Sequence, residues 1–291
     1  MQPAILGKIT MSITMIKSIT AKKIIKTITL ATFLLSSSAL IQAYTSTPNN
    51  NHMVVFVHGA HLTADSWKQV ENGINKKGYQ SMAVNLPGRK DNINPKEITL
   101  NSSADYLCKK VSKLGKIVTF VTHSQGGAIV NHAQSICPNL MVQRIIYLAS
   151  VSPLAGEKPF DKLSKEDEVH YYKGVSYEES SGLMVISNQD AFVEAFSSKQ
   201  DSPFKKSILK SSVNEPAYIA DGLVKMNSTT YSAIKKFYIF TQHDKIISLA
   251  SQHKIEKRLK TIKTSTINSG HIPMVTHADE LVNALLEFLV I

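Results

Sequence analysis

Ser124 lies at a predicted strand-to-helix turn, a position at which a serine can act as a nucleophile. It lies in VTHSQGGAIV, between a strand-like apolar run and an apolar pattern with helical spacing. Such a joint places the serine Oγ on a tight turn at the carboxyl end of a strand, above a helix N-terminus. Gly126 and Gly127 are small enough for a close approach of strand and helix. Thr122, however, replaces the first glycine of the pattern G-x-S-x-G, so other residues must distinguish a nucleophile from a serine that only caps the helix.

A serine hydroxyl attacks a carbonyl when a neighbouring base removes its proton. His271 is the predicted base, because it follows a strand with a glycine-containing loop and precedes the last helix. His277 is the rival, although no strand delivers it. Asp244, in the loop after KKFYIFT, is the predicted carboxylate that orients the imidazole. Asp190 and Asp221 are alternative acids, and each can also be read as a helix cap.

Acyl transfer also needs hydrogen-bond donors for the negatively charged oxygen of the intermediate. The segment HGAH, residues 58–61, follows the first predicted strand after the polar linker TSTPNNN. Gly59 allows the backbone to turn, so that the amide of Ala60 can point at the site. The amide of Gln125, at the start of the helix after the serine, is the natural second donor. Both donors are backbone groups, so the side chains at these two positions matter little.

Strands and helices alternate along most of the chain, and the predicted strands are apolar on both faces. The predicted strands are HMVVFVHG, YQSMAVNLPG, KIVTFVTH, VQRIIYLASV, KKFYIFT and KTSTINS. Continuous apolar strands are typical of a parallel sheet covered by helices on both sides. The handedness of strand-helix-strand crossovers then predicts an α/β, doubly wound, mostly parallel sheet.

The alternation is interrupted from about residue 152 to about residue 231. This stretch is more polar and contains helix-like pieces such as QDAFVEAFSSK and PAYIADGLVKM. An insertion of this length between two core strands predicts a helical cap over the sheet. A disordered loop is the alternative, but the many aromatic residues of the stretch argue against it.

The first 43 residues predict a secretory signal. Five lysines and no acidic residue precede position 44, and the apolar run TITLATFLLSSSALI ends near Ala43. At about 15 residues this run is shorter than the roughly 20 that span a bilayer, so we expect cleavage rather than a stable membrane span, an uncleaved anchor being the alternative. Residues 44–291 then form the mature domain, exported to the periplasm or out of the cell.

The charge of the mature domain favours an ordinary soluble surface, with a nucleic-acid or anionic-membrane surface as the alternative. The net charge is +11 for the whole chain, and 28 basic and 22 acidic residues remain after the predicted signal is removed. No dense basic run is present, so a soluble, mildly basic surface is the simpler interpretation.

The two cysteines, Cys108 and Cys137, have no metal-ligand spacing. They lie in helix-like segments on either side of the strand before Ser124, and an exported protein can keep a disulfide. A bridge and two buried free thiols both remain open at this point. The sequence predicts no metal and no organic cofactor.

Taken together, these motifs resemble the α/β-hydrolase superfamily over nearly all of the mature chain. The similarity is greatest to the branch that contains plant methylesterases, hydroxynitrile lyases and their bacterial serine esterase relatives. The matching segments are VFVHGAHLTADSW, NLPG, VTFVTHSQGGAIV, RIIYLAS, FYIFTQHDKIISLASQ and GHIPMVTHADEL. The resemblance implies Ser124 as nucleophile, His271 as base, Asp244 as its partner, and Ala60 and Gln125 as oxyanion donors.

The resemblance also implies an activity, namely the hydrolysis of a small carboxylic ester, and the aromatic and Met-containing cap suggests a substrate with an apolar group. Ile272 follows the predicted base, where hydroxynitrile lyases of this branch carry a lysine that handles cyanide. An isoleucine supplies no positive charge, which favours ester hydrolysis. Lyase-like or other non-hydrolytic chemistry on the same fold, and a binding protein without turnover, are the alternatives.

Overall fold

The computed structural model describes residues 50–89 and 91–291, except that at Gln200 it describes the backbone alone. The predicted signal, residues 1–43, lies outside the described residues. Within the part that is described, no helix is both long enough and apolar enough to cross a membrane.

The described chain contains nine strands and ten α-helices. The strands are β1 His52–Val57, β2 Ser81–Val84, β3 Ile117–His123, β4 Val142–Leu148, β5 Val175–Glu178, β6 Leu183–Ile186, β7 Glu215–Pro216, β8 Lys235–Thr241 and β9 Lys263–Ile267. The helices are α1 Lys68–Lys76, α2 Leu100–Ser112, α3 Gly126–Ile136, α4 Lys165–Gly174, α5 Gln189–Phe196, α6 Lys205–Ser211, α7 Ser228–Ala233, α8 Leu249–Glu256, α9 Pro273–Thr276 and α10 Ala278–Leu289.

Six strands form one parallel sheet in the order β2-β1-β3-β4-β8-β9. Consecutive residues of β1 and β3 are buried, which explains why their sequences are apolar on both faces. Helix α1 packs against α10, and α2 packs against α3, so that helices cover both sides of the sheet. The predicted doubly wound fold is therefore confirmed.

The strand order brings the candidate residues to one edge of the sheet. From β1 the chain passes to β2 on one side and then to β3 on the other, so the order reverses between β1 and β3. The carboxyl ends of strands at such a switch point form a crevice in which ligands of α/β proteins bind. The segment 58–61 leaves β1 at this crevice, and Ser124 leaves β3 beside it, because Val57 is paired with Thr122.

The predicted insertion between core strands is present, and it occupies residues 149–234 between β4 and β8. It is helical in part, but β5, β6 and β7 also form a small antiparallel sheet within it. The predicted helix over PAYIADGLVKM is wrong: the segment holds only a 3-10 turn, Ala217–Ile219, followed by irregular chain. Pro216 and Gly222 disfavour a helix there, while Ile219 and Val224 are still buried.

A disulfide joins Cys108 of α2 to Cys137, the residue directly after α3. The two cysteines are 29 residues apart in sequence, with β3 and Ser124 between them. The bridge therefore closes a loop around the candidate nucleophile and ties the helix that follows it to its neighbour.

Replacement of both cysteines by serine is expected to lower the free energy of unfolding by about 3–4 kcal/mol, from the entropy of closing a loop of this length. Urea denaturation of the oxidised protein measures this loss. A reductant should bring the wild type to the stability of the double variant and leave the variant unchanged. Equal stability of the two proteins without reductant would contradict the expectation.

Candidate active site

Ser124 lies in a strained turn between β3 and α3. Its φ angle is +51°, in the left-handed region that costs a non-glycine residue about 1–2 kcal/mol. The turn is held at both ends of the residue: the Ser124 N–H donates to the carbonyl of Leu148 at 3.2 Å, and the Ser150 hydroxyl donates to the Ser124 carbonyl at 2.9 Å. Only 4% of Ser124 is exposed.

Three glycines make room for this turn. A Cβ on Gly59 would lie 2.6 Å from the Cβ of Ser124, and one on Gly126 would lie 2.8 Å from the carbonyl oxygens of Val57 and His58. A Cβ on Gly127 would lie 2.7 Å from the carbonyl oxygen of residue 151. A Cβ atom cannot lie this close to another carbon or to a carbonyl oxygen, so only glycine fits at these three positions.

Thr122 fits in place of the usual glycine because Gly126 has no side chain. Thr122 is fully buried, and its Oγ1 lies 3.1 Å from the place that a Cβ on Gly126 would take. Among the described residues, this hydroxyl has no hydrogen-bond partner. The site therefore accepts a threonine at the cost of an unpaired buried hydroxyl, which is worth about 1–3 kcal/mol.

The structure brings Ser124, His271 and Asp244 together. The Oγ of Ser124 lies 3.0 Å from Nε2 of His271, and Nδ1 of His271 lies 2.7 Å from Oδ2 of Asp244. A carboxylate only accepts hydrogen bonds, so the Nδ1 hydrogen points to Asp244 and the Nε2 lone pair faces the serine hydroxyl. This is the arrangement in which an imidazole can remove the proton of a serine.

Asp244 is fixed by the loop that carries it. Its Oδ1 accepts hydrogen bonds from the backbone N–H groups of Ile246 and Ile247, both at 2.8 Å, and its Oδ2 accepts one from the Thr241 hydroxyl at 2.8 Å. Gln252 of α8 binds the backbone N–H and carbonyl of Thr241 and thereby holds the end of β8. The carboxylate thus keeps one orientation toward His271.

The alternative residues lie elsewhere. His277 stands between α9 and α10, and its Nδ1 faces Asp201 at 3.5 Å rather than Ser124. Asp190 pairs with Lys205, and Asp221 lies 3.7 Å from a lysine of the cap. Both of these acids are largely exposed, and each forms its ion pair with a lysine rather than with His271.

Ala60 and Gln125 line the same cavity as Ser124 and His271. Within the described residues, neither the Ala60 N–H nor the Gln125 N–H donates a hydrogen bond to a protein group. Gln125 opens α3, where the helix dipole favours negative charge. Both amides are therefore free to bind an oxyanion beside the serine.

Two buried histidines near the serine, His58 and His123, hold the backbone around it. His58 donates from Nδ1 to the Gly59 carbonyl and accepts the Leu86 N–H at Nε2, so it fixes the turn after β1. His123 donates from Nε2 to the carbonyl of His271 at 2.8 Å and so fixes the backbone of the candidate base. Burial lowers the pKa of both His58 and His123 well below the ordinary value, so these rings stay neutral.

His61 joins the turn after β1 to the cap. Its φ angle is +61°, its Nδ1 donates to the Val213 carbonyl at 2.9 Å, and its Nε2 accepts a hydrogen bond from the Tyr171 hydroxyl at 2.8 Å. Burial lowers the pKa of His61 to about 4. The sequence shows His61 as the second histidine of HGAH. Its role could not be predicted, because its hydrogen-bond partners lie more than 100 residues away along the chain.

A small cavity of about 140 Å³ opens beside Ser124 and His271. Its wall is made mostly of apolar and aromatic side chains of the cap, with Glu168, Glu215 and Gln125 as polar groups beside Ser124 and His271. The cap residues of the wall are Phe160, Leu163, Glu168, Tyr171, Tyr172, Met184, Phe196, Glu215, Pro216, Ala217 and Ala220. A larger depression of about 710 Å³ lies over residues 88–89 and 91–95 and the cap, away from the serine. Among the described residues, no cluster of three or more His, Cys, Asp or Glu side chains could hold a metal ion.

Residues 54–284 match the sequence model of the alpha/beta hydrolase family. The chain therefore belongs to this family. No significant sequence match is found among proteins of curated function.

Solved structures share the fold at low sequence identity. An extracellular alpha/beta-hydrolase from a Paenibacillus species is 17% identical, with a TM-score of 0.71 over 81% of this chain and 98% of the other. A pyrethroid hydrolase from Sphingobium faniae JZ-2 is 17% identical, with a TM-score of 0.69 over 81% and 96% of the two chains. The methylesterase MES16 from Arabidopsis is 19% identical, with a TM-score of 0.67 over 82% and 98%.

The buried histidines make the stability of the protein depend on pH. The pKa of His61 is about 4 in the folded protein and about 6.5 when unfolded, so between these values the unfolded chain binds more protons. Stability is therefore full above pH 6.5 and falls as the pH drops toward 4, by about 3 kcal/mol from His61 alone. His58 and His123 add to the same trend.

Urea denaturation of the wild type and of His61→Asn between pH 4.5 and 7.5 measures the share of His61. Asparagine tolerates the left-handed backbone but does not titrate in this range. The variant is expected to be less stable at pH 7, with a slope against pH that is smaller by up to about 1.4 kcal/mol per unit. Equal slopes would show that His61 is not held neutral by burial.

Proposed function

We propose that this protein is an exported serine hydrolase that cleaves small carboxylic esters. The observation that supports this most directly is the chain of hydrogen bonds from the Ser124 hydroxyl through His271 to Asp244, beside the free amides of Ala60 and Gln125. A base, a group that orients it, and donors for the oxyanion are the parts that acyl transfer to a serine requires.

In the proposed reaction, Ser124 Oγ attacks the ester carbonyl while its proton passes to Nε2 of His271. The carbonyl oxygen becomes an oxyanion, which the amides of Ala60 and Gln125 stabilise. The bond to the alcohol then breaks, and the alcohol leaves with the proton from His271. Water attacks the acyl-serine by the same route, which releases the acid and restores the hydroxyl. Asp244 accepts the hydrogen bond from Nδ1 of His271 throughout and stabilises the imidazolium.

The size and lining of the cavity support a small substrate with an apolar group. About 140 Å³ is close to the volume of an engineered apolar cavity that binds benzene, so one side of the ester has room for a short acyl chain or a single ring. Met184 and Phe196 of the cap are among the apolar groups that would surround it. Two of the structural neighbours are named as a pyrethroid hydrolase and a methylesterase, which agrees with ester chemistry on this fold.

Export is supported by three independent features. The N-terminal 43 residues have the charge and apolar pattern of a secretory signal. The disulfide between Cys108 and Cys137 is of a kind that persists in oxidising compartments. One structural neighbour is an extracellular hydrolase.

Ile272, the residue that follows the proposed base, argues against lyase chemistry. Ile272 is 1% exposed and apolar, so this position supplies no charge that could stabilise a cyanide leaving group. A binding protein without turnover would not need a hydrogen-bonded serine, histidine and aspartate.

The proposal predicts that Ser124→Ala and His271→Ala each lower kcat/KM for p-nitrophenyl butyrate by at least about 10³-fold, because loss of either removes the activated nucleophile. His277→Ala is the matched control and is expected to lose less than about tenfold, since its ring faces Asp201. Near-normal turnover by Ser124→Ala would contradict the proposal. A greater loss in His277→Ala than in His271→Ala would move the base to the other histidine.

A further inference from the structure

A buried ion pair connects the loop after β2 to the cap beside the candidate oxyanion donors. Arg89 Nε and Nη2 donate to the two carboxylate oxygens of Glu215 at 2.9 and 2.5 Å. The side chains are 1% and 2% exposed. A buried ion pair is stabilising only when additional hydrogen bonds satisfy both charged groups. The other hydrogen bonds of the Glu215 carboxylate therefore indicate its role.

The remaining hydrogen bonds of Glu215 go to both halves of the oxyanion site. Its Oε2 accepts the backbone N–H of His61 at 3.1 Å, and its Oε1 accepts the side-chain amide of Gln125 at 2.7 Å. His61 directly follows Ala60, and Gln125 carries the second donor. One carboxylate thus holds the two peptide segments that must keep a fixed spacing around the oxyanion.

The backbone at these segments needs such an anchor. The left-handed φ of His61 costs about 1–2 kcal/mol and turns the chain just after the Ala60 amide. Strained backbone of this kind persists only where surrounding contacts determine it. The hydrogen bond from the His61 N–H to Glu215 is one of these contacts, and the bond from the Val213 N–H to the His61 carbonyl at 2.9 Å is another.

Another buried carboxylate of the cap provides a comparison. Asp167 is 1% exposed and accepts hydrogen bonds from the Ser248 N–H and the Ser251 hydroxyl, at 3.0 and 2.6 Å. It therefore anchors α4 of the cap to the start of α8, and among the described residues it forms no hydrogen bond with the segments that carry Ala60 or Gln125. A change there tests the effect of loosening the cap while the contacts of Glu215 are kept.

We propose that Glu215, with its charge balanced by Arg89, is a positioning residue that sets the geometry of the oxyanion hole from within the cap. This assignment rests on the proposed ester hydrolysis. It makes the cap part of the catalytic apparatus, because β7 of the cap supplies the group that aligns donors belonging to the core.

Glu215→Gln is the first test. All four groups that bind the Glu215 oxygens are donors, so the NH₂ of glutamine would face at least one donor whichever way the amide is turned. Since displacing oxyanion donors weakens transition-state binding more than substrate binding, kcat is expected to fall about 10- to 100-fold with KM changed less than about threefold. The Ki of a trifluoromethyl ketone, which forms an oxyanion on the serine, is expected to rise in proportion to the loss in kcat/KM.

A second variant keeps the test valid if Glu215→Gln folds poorly. The double variant Arg89→Met/Glu215→Met removes both charges together, a change that is often neutral or stabilising for a buried pair. It does not restore the hydrogen bonds to His61 and Gln125, so the loss in kcat is expected to persist in a folded protein. Asp167→Asn, the control for loosening of the cap, is expected to keep kcat within about threefold.

Full kcat in the double variant, a loss confined to KM, or an equal loss of kcat in Asp167→Asn would overturn the assignment of Glu215. Wild type and Ser124→Ala are measured beside these variants. Equal turnover by that pair would overturn the proposed function and this assignment together. A large difference within the pair, with full activity in the double variant, would overturn the assignment of Glu215 alone.

Discussion

Three backbone segments meet at Ser124 with almost no space between them, and the rest of the site follows from that crowding. The turn after β1, the turn after β3 and the start of α3 approach so closely that a methyl group on Gly59 or Gly126 would overlap its neighbours. The crowding holds Ser124 in a left-handed conformation that a free chain would avoid. It also places the turn after β1, with its free Ala60 amide, beside the serine.

Neutral, buried polar groups then hold each turn in place. His58 fixes the turn after β1, and His123 fixes the backbone at His271, each through one donated hydrogen bond. Because burial lowers the pKa of both histidines, these contacts do not add positive charge beside the base. The cap contributes a further hydrogen bond: the Gly270 N–H donates to Asp201 at 3.3 Å, next to the candidate base. The cap is thus bonded to the loops that carry the site rather than resting on them.

The sequence could predict those features of the site that depend on local sequence patterns. The residue types and strand order placed Ser124, Asp244 and His271 at the ends of β3, β8 and β9, and the structure brings the three together. Strand β8 was also predicted with the bounds that the structure has. Such predictions succeed because a buried parallel strand and its exit loop are contiguous in sequence.

Contacts between distant segments could not be predicted in the same way. Glu215 meets Gln125 across 90 residues and Arg89 across 126, and nothing in the local sequence distinguishes it from a surface acid. The small sheet of the cap was missed because its strands are only two to four residues long. The fit of Thr122 became clear only when its neighbour Gly126 was seen in space.

The central claim is that the Ser124 hydroxyl is activated by this framework, and covalent labelling tests it most directly. The protein is treated with a fluorophosphonate and digested, and the modified peptide is identified by mass spectrometry. The account predicts a single adduct on Ser124 in the wild type and a much slower reaction in His271→Ala. Absence of an adduct, or an adduct on another residue while Ser124 stays unmodified, would contradict it.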